Sequence, residues 1–392
     1  MQIVIDQESW EGKPLPAWAI GYLTTQTIDV AKALLMLGSV TTPNGLSAAS
    51  PERYWACIRY FSACTGSSDL RIQTAFMDLD PHQKGILSDD FGVALSMAWL
   101  LDQMGGVRNI VDGRQFMINM GIRAAAQGQP PPKVGHRKCP DFVVEDVKGK
   151  YHILECKGTQ SGPAYLNRAM ATGQVQKEGI RLPKSLRGES LVIGVSLAGE
   201  GQARSTELVV VDPEDEPLTI VKESDVKKAN ETLVRLSLAR GLNLNGFSNL
   251  AFEMSWPGDL DDFGEEVRLL TRVEKKALSL GREERMLRWQ EEVKSEFASG
   301  RQIENRVSQK MSFEIPALKL DSGDIARRVT VRRDVDADLI YRLSKSGTDF
   351  ISAASDIAAD IASRSESIEI SQASHSVSLK QHGFFFSEIV LD

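Results

Sequence analysis

The chain has 392 residues, which is long for one ordinary core and suits two or three domains. Hydrophobic residues make up 42% of the chain and charged residues 25%, values typical of a soluble globular protein. The net charge of −7 excludes a polycation, so any surface that binds nucleic acid has to be local.

Targeting and membrane signals are missing from the sequence. The N-terminal segment carries acidic Asp6 and has no basic region ahead of an apolar run, which argues against a secretory signal. No stretch approaches the roughly 18 to 20 apolar residues of a membrane span, and the run 30–40 is short and interrupted by Lys32. None of the four cysteines forms a C-x-x-C pair, which favours reduced thiols. We therefore expect a cytoplasmic protein without a membrane contact.

The first third of the chain is predicted to be helical, because apolar residues recur at helical spacing between capping and terminating residues. The first predicted helix covers residues 19–38, and the second is capped by Ser50 with Pro51 in its first turn. The third is capped by Ser88, has Asp89 and Asp90 in its first turn, and ends at Gly105-Gly106.

The middle of the chain alternates strands and helices, which predicts an α/β layer with a mixed sheet. In chain order we predict a strand over 114–126, a loop over 127–138, a hairpin of strands 141–145 and 151–156, a helix over 163–179, and strands 190–197 and 207–212.

After residue 212 the composition becomes more charged. A helix is predicted from Ser224 or Asp225 to about residue 240, and 264–299 is predicted to be one long helix or two broken near Gly281. Alternating strands and helices follow to the end. The predicted division is a helical N-terminal region (1–80), an α/β core (81–215) and a C-terminal α+β accessory domain (216–392).

Two carboxylates and a lysine stand where the predicted hairpin brings them together. Asp141 follows Pro140 at the start of the first strand, and Glu155 and Lys157 lie two residues apart on the second, so they share a face. Mg²⁺ takes oxygen ligands, usually one or two carboxylates with water and substrate phosphate. Asp141, Glu155 and the backbone carbonyl of Cys156 would supply such oxygens, with Mn²⁺ as a substitute ion. Lys157 would orient the attacking water or stabilise the charge that develops in the transition state.

This pattern, Pro140-Asp141 followed by Glu155-x-Lys157 on a second strand, resembles the PD-(D/E)xK nuclease superfamily, the restriction-endonuclease-like group. The resemblance covers about residues 85 to 215. It implies a mixed sheet flanked by helices and Mg²⁺-dependent cleavage of DNA or, less often, RNA. It also implies that Asp141 and Glu155 bind the metal and that Lys157 is the catalytic lysine.

Two further residues follow from the resemblance. Members often carry a glutamine on the helix after the lysine, and Gln176 is the better match there, so it joins the predicted catalytic set. Many members carry an acid on the first core helix, a place that Asp89 or Asp90 could fill.

The expected function is that of a Mg²⁺-dependent endonuclease that hydrolyses phosphodiester bonds, with DNA as the favoured substrate. The chain contains no G-x-x-x-x-G-K-[ST] motif, so it would act alone, as a homo-oligomer, or with a separately encoded partner protein. Bacterial restriction or anti-phage defence fits by analogy.

Three other interpretations remain open. Glu155 and Lys157 could be a solvated ion pair at a sheet edge, with Asp141 a turn residue. The fold could be that of a catalytically inactive nuclease that binds nucleic acid or acts as a sensor. The charged helix 264–299 could instead be the interaction surface of an oligomer.

Three structural expectations follow from the nuclease interpretation. The carboxylates of Asp141 and Glu155 should lie roughly 4 to 6 Å apart, within reach of one cation. Glu155 and Lys157 should face a cleft at a sheet edge, so that truncating either residue opens no core cavity. Residues 220 to 392 should set substrate choice or assembly, so that their deletion leaves a folded core.

Overall fold

A computed structural model of the chain describes residues 1–6, 9, 16, 23–42, 55–60, 62–65, 70–120, 139–177, 180, 182–212, 221–256, 258–299, 301–319, 323–345, 353, 356–357, 360–361, 367–373 and 375–392. Within these residues the protein is a mixed α/β structure, in which helices flank one large mixed sheet. The predicted loop over 127–138 lies outside the described residues.

The sheet contains thirteen strands in the described part of the chain. They are β1 (Gln2–Ile5), β2 (Leu23–Thr25), β3 (Val107–Asp112), β4 (Phe142–Asp146), β5 (Tyr151–Thr159), β6 (Arg187–Ser196), β7 (Glu207–Val211), β8 (Arg301–Ile303), β9 (Arg306–Lys319), β10 (Ile325–Asp336), β11 (Ile368–Ala373), β12 (Ser376–Gln381) and β13 (Phe385–Leu391).

The α-helices are α1 (Val30–Thr41), α2 (Trp55–Tyr60), α3 (Thr74–Met77), α4 (Pro81–Gln103), α5 (Gly113–Met120), α6 (Pro163–Lys177), α7 (Val226–Leu244), α8 (Ser248–Ser255), α9 (Arg272–Leu278), α10 (Arg282–Ser299) and α11 (Ala337–Lys345). Short 3₁₀ segments lie at Glu223–Asp225 and Leu260–Leu269.

The strand order across the sheet is β2-β1-β7-β6-β5-β4-β3-β11-β12-β13-β10-β9-β8. The pairs β1–β7 and β5–β6 are parallel, and the other neighbours are antiparallel. The central part runs in the order α4-β3-α5-β4-β5-α6-β6 along the chain. The C-terminal strands continue the same sheet, since β11 pairs with β3 through Ile368 and Val107.

The cap of helix α4 lies eight residues before the predicted cap at Ser88. Asp80 is the true cap, because its carboxylate accepts hydrogen bonds from the backbone nitrogens of His82 and Gln83, and Pro81 occupies the first turn. Ser88 is buried and donates its hydroxyl hydrogen to the Lys84 carbonyl. Asp89 and Asp90 therefore lie in the body of the helix, about two turns further from its N-terminus than predicted.

Two predicted elements in the first half of the chain are wrong. The predicted strand over 114–126 is helical in its described part, α5, because Asp112 accepts a hydrogen bond from the Gln115 backbone nitrogen and so starts a helix. The predicted helix over 19–38 begins only at Val30, where Asp29 caps it, and Leu23–Thr25 is a strand paired with β1.

The hairpin and the elements around it are confirmed. Strands β4 and β5 pair in antiparallel register with Phe142 opposite Leu154, and the turn between them contains Gly149 at a φ of +76°. Helix α6 and strands β6 and β7 lie within three residues of their predicted bounds. The charged segment is broken before Gly281, as one of the two predicted alternatives required.

The hydrophobic core crosses the predicted boundary near residue 215. Leu233 and Leu236 of α7 are buried against Val111, Val143 and Ile153 of the central strands. The cluster on the opposite side includes residues from the beginning, middle and end of the chain. Helix α7, from the predicted accessory domain, thus covers one face of the central strands.

Candidate active site

Asp141 and Glu155 are joined by the backbone of the hairpin that carries them. The Asp141 backbone nitrogen donates to Oε2 of Glu155 over 3.1 Å. The Cys156 backbone nitrogen donates to Oδ2 of Asp141 over 2.8 Å. Each carboxylate is therefore held by the strand opposite its own, which fixes both side chains at one place on the sheet.

Lys157 completes the cluster. Its Nζ donates to Oε1 of Glu155 over 2.5 Å, in agreement with the shared face that their spacing in β5 predicts. The Lys157 side chain is 21% exposed and that of Glu155 is fully buried. The three predicted residues thus lie together, with the ammonium group as the more accessible member.

The close approach of α4 to β5 sets the back of this cluster. A Cβ on Gly158 would lie 1.7 Å from the Ser88 carbonyl oxygen, and one on Gly92 would lie 2.7 Å from the Lys157 carbonyl carbon. Only glycine fits at either position without moving the helix from the strand. The body of α4 is therefore pressed against the strand that carries Glu155 and Lys157.

Helix α6 closes the opposite side of the cluster. A Cβ on Gly173 would lie 3.1 Å from Cγ of Glu155 and 3.3 Å from Cε of Lys157. The helix backbone therefore restricts the rotamers of both side chains. Gln176 lies on the same helix, but its side chain is outside the described part of the structure.

The burial of Glu155 corrects one expectation. Glu155 was expected to face an open cleft, and it is instead 0% exposed. Its strand runs under both α4 and α6, and both of its oxygens already accept hydrogen bonds. Truncation of Glu155 to alanine would consequently leave a cavity, whereas truncation of the partly exposed Lys157 would not.

Burial also changes the acid strength of the two carboxyls. It raises the pKa of Asp141 to about 6, against the hydrogen bond from Cys156 and the charge of Lys157. It raises the pKa of Glu155 to about 7, and the nearby charge of Asp141 adds to this effect. Burial lowers the pKa of Lys157, but the charge and hydrogen bond of Glu155 outweigh it, so that the lysine pKa stays above its ordinary value.

The acids of α4 differ in their relation to the cluster. Asp89 interacts electrostatically with Lys157 and Asp141, and burial raises its pKa against the opposing charge of Lys157. Asp90 instead accepts a hydrogen bond from the Tyr60 hydroxyl over 2.6 Å. Of the two candidates that the resemblance left open, Asp89 is the one near the site.

A cavity of about 740 Å³ opens beside Asp141. Its wall is shared by the central strands, α5, α7 and α9, and its lining includes Asp112, Arg114, Asp141, Arg240, Phe252 and Glu274. Arg114 is neutralised by a two-pronged ion pair with Glu274, at 2.7 and 3.0 Å. Arg240 and the Arg114–Glu274 pair were not found from the sequence, because their position depends on how α7 and α9 pack.

The donor set fits a hard divalent cation. Two adjacent buried carboxylates raise each other's free energy in the ionised state, and a cation between them would remove that cost. Asp141 and Glu155 are the residues that would hold it, with the Cys156 carbonyl as the predicted third oxygen. Among the described residues no group of three or more His, Cys, Asp or Glu side chains is arranged to hold a metal ion. Two carboxylates with water and phosphate suffice for Mg²⁺.

Comparison of the chain with protein-family models, curated proteins and solved structures found no match. In the part of the chain that the structure describes, no helix is both long and apolar enough to cross a membrane.

Proposed function

We propose that the protein is a Mg²⁺-dependent endonuclease of the restriction-endonuclease-like type, acting on DNA in the cytoplasm. The observation that carries the proposal is the cluster of Asp141, Glu155 and Lys157, joined by hydrogen bonds across one hairpin. The order α4-β3-β4-β5-α6-β6, interrupted among the described residues only by α5, supports the proposal, since it forms part of a mixed sheet flanked by helices. A role in restriction or anti-phage defence, alone or with a partner protein, fits by analogy.

The residues divide the work of phosphodiester hydrolysis among them. Asp141 and Glu155 would hold the metal ion, which when bound lowers the pKa of a coordinated water and neutralises charge on the phosphate. Lys157 is the accessible cation of the cluster, so it is placed to stabilise charge on the phosphate oxygens. Asp89 keeps negative charge near the ammonium and thereby favours its protonated form.

The rival interpretation is an inactive nuclease fold that binds nucleic acid. It is favoured by one observation, namely that both Glu155 oxygens are already engaged by Lys157 and the Asp141 backbone. In the active protein each Glu155 oxygen would keep a second lone pair with which to bind the metal ion.

The decisive experiment measures cleavage of supercoiled and single-stranded DNA by purified protein with Mg²⁺, Mn²⁺ or chelator. Glu155→Gln keeps the volume of the buried side chain and removes its charge, and Lys157→Ala removes the accessible ammonium. Each should lower the cleavage rate by about 10²-fold or more, since loss of one electrostatic contact to the transition state costs this much.

Lys148→Ala is the matched control, because Lys148 is exposed in the turn of the same hairpin. It should cut like the wild type. Cutting by the wild type in chelator, or wild-type rates for both site variants, would refute the assignment. DNA binding without any cleavage by the wild type would favour the inactive fold.

A further inference from the structure

Arg240 is a half-buried cation without a hydrogen-bonded or ion-paired partner among the described residues. It lies near the C-terminal end of α7, is half-buried, and lines the 740 Å³ cavity. Burial lowers its pKa to about 10, against the attraction of Asp112, so the side chain remains charged at neutral pH.

The neighbours of Arg240 leave its charge incompletely balanced. Asp112 is the acid that interacts with it electrostatically, but Asp112 accepts its hydrogen bond from the Gln115 backbone and lies beyond ion-pair distance of Arg240. Glu274, the other acid on that side of the cavity, is engaged by Arg114. Burial, together with the charge of Arg240, lowers the pKa of His382 to about 3.

A guanidinium that lines a cavity with its donors unused is free to bind a ligand that supplies acceptors. The buried arginine of α7, Arg235, instead donates hydrogen bonds to the Met254 carbonyl and to Oδ1 of Asn119. Within α7 the fold thus supplies hydrogen-bond acceptors to Arg235, whereas Arg240 has none among the described residues and lines the cavity.

We propose that the cavity between Asp141 and Arg240 is a nucleotide-binding subsite in which Arg240 binds a phosphate group. The volume lies in the range of pockets that hold nucleotide-sized ligands, and guanidinium groups match phosphate oxygens in geometry and charge. That this phosphate belongs to the nucleic-acid strand being cut rests on the proposed nuclease function, because Asp141 lines the same cavity.

The test measures thermal unfolding of the full chain with inorganic phosphate, with deoxyadenosine 5′-monophosphate, and with deoxyadenosine, at matched ionic strength in chelator. Phosphate and the monophosphate should raise the melting temperature of the wild type, and deoxyadenosine should raise it less. Arg240→Met keeps the apolar stem and removes the charge. It should bind the monophosphate about 10- to 100-fold more weakly, the loss typical of a hydrogen bond to a charged group.

Two variants make the result specific. Arg240→Lys keeps the charge and should recover part of the binding. Lys227→Gln removes an exposed charge from the same helix and should bind like the wild type. General stabilisation by phosphate as a solute acts on all variants alike, so it cancels in the comparison.

The outcomes separate the inference from the nuclease proposal. Without ligand, Arg240→Met should melt no lower than the wild type, because the removed charge makes no hydrogen bond or ion pair among the described residues. A lower melting temperature would make Arg240 a structural cation and overturn the inference, as would unchanged binding of the monophosphate. A wild type that binds the monophosphate through Arg240 but cuts no nucleic acid leaves the subsite standing and refutes the nuclease.

Discussion

The acid pair Asp141 and Glu155 differs from ordinary surface carboxyls in its burial. Because their pKa values are raised to about 6 and about 7, part of the pair is protonated near neutral pH. In the unfolded chain both would titrate near 4. The protonated pair therefore stabilises the fold at low pH, and this contribution is lost as the pH rises through the folded values.

Metal binding should reverse this dependence, because the cation binds the ionised carboxylates and displaces their protons. We expect the rise in melting temperature caused by Mn²⁺ to be small at pH 5.5 and larger at pH 8. Thermal unfolding with Mn²⁺ and with chelator at the two pH values measures it. Glu155→Gln removes one ligand and one titrating group, so its shift should be small at both. An equal shift at pH 5.5 and pH 8 in the wild type would contradict metal binding at this pair.

At the residue scale the sequence predicted that Asp141, Glu155 and Lys157 lie close together, because their spacing on two strands of a hairpin determines which side chains share a face. It did not predict Arg240. An arginine in the run LSLARGLNL has no local signal that distinguishes a structural side chain from one lining a cavity. That distinction depends on what α7 packs against, which is a property of the tertiary structure.

At the scale of elements, the approach of α4 to β5 holds the site together. A methyl group on Gly158 would overlap the Ser88 carbonyl, which is backbone and cannot rotate away. We expect Gly158→Ala to lower the free energy of unfolding by about 2 kcal/mol or more, as overpacking in a rigid core does. Chemical denaturation followed by circular dichroism measures the loss.

Gly85→Ala is the matched control for this prediction. Gly85 lies in α4 as well, and a Cβ there would meet no atom within 4 Å. Alanine should leave the stability unchanged or raise it by up to about 1 kcal/mol through its helix propensity. Equal effects of the two substitutions would mean that the close approach of helix and strand does not matter for stability.

Element prediction succeeded where local signals were strong and failed where they competed. The hairpin had alternating apolar residues and a glycine turn, and both strands were predicted within three residues. The segment of α5 is predicted as a strand because it is rich in apolar residues. Asp112, which accepts a hydrogen bond from the Gln115 backbone nitrogen, is the competing signal for a helix start. The Asp80-Pro81 start of α4 was likewise missed in favour of Ser88.

At the scale of the whole molecule, α7 links the predicted core to the rest of the chain. Tyr151 of β5 donates its hydroxyl hydrogen to Oδ1 of Asn230 on α7 over 2.6 Å. On the same face Leu233 and Leu236 bury apolar side chains of the central strands. A helix from beyond residue 215 therefore supplies part of the layer that a sheet of this kind needs on each face.

This packing changes what is expected of a chain cut at residue 215. Removing α7 would expose Val111, Phe116, Val143 and Ile153, which are now at most 3% exposed. Burial of each such side chain contributes about 1.5 to 3 kcal/mol, so their sum is comparable to the whole stability of a domain, about 5 to 15 kcal/mol. We therefore expect residues 1–215 alone to lack a cooperative unfolding transition, in place of the folded core expected from the sequence.

Co-expression of residues 1–215 with residues 216–392 makes the test two-sided. If the halves share one core, each alone should be largely unfolded by circular dichroism, while together they should copurify and unfold in one transition. Metal-dependent cutting should then be present only in the paired sample, since α7 also carries Arg240 on the wall of the cavity next to Asp141. An isolated 1–215 fragment that unfolds cooperatively and cuts DNA with Mg²⁺ would show that the boundary predicted from the sequence separates two independent domains.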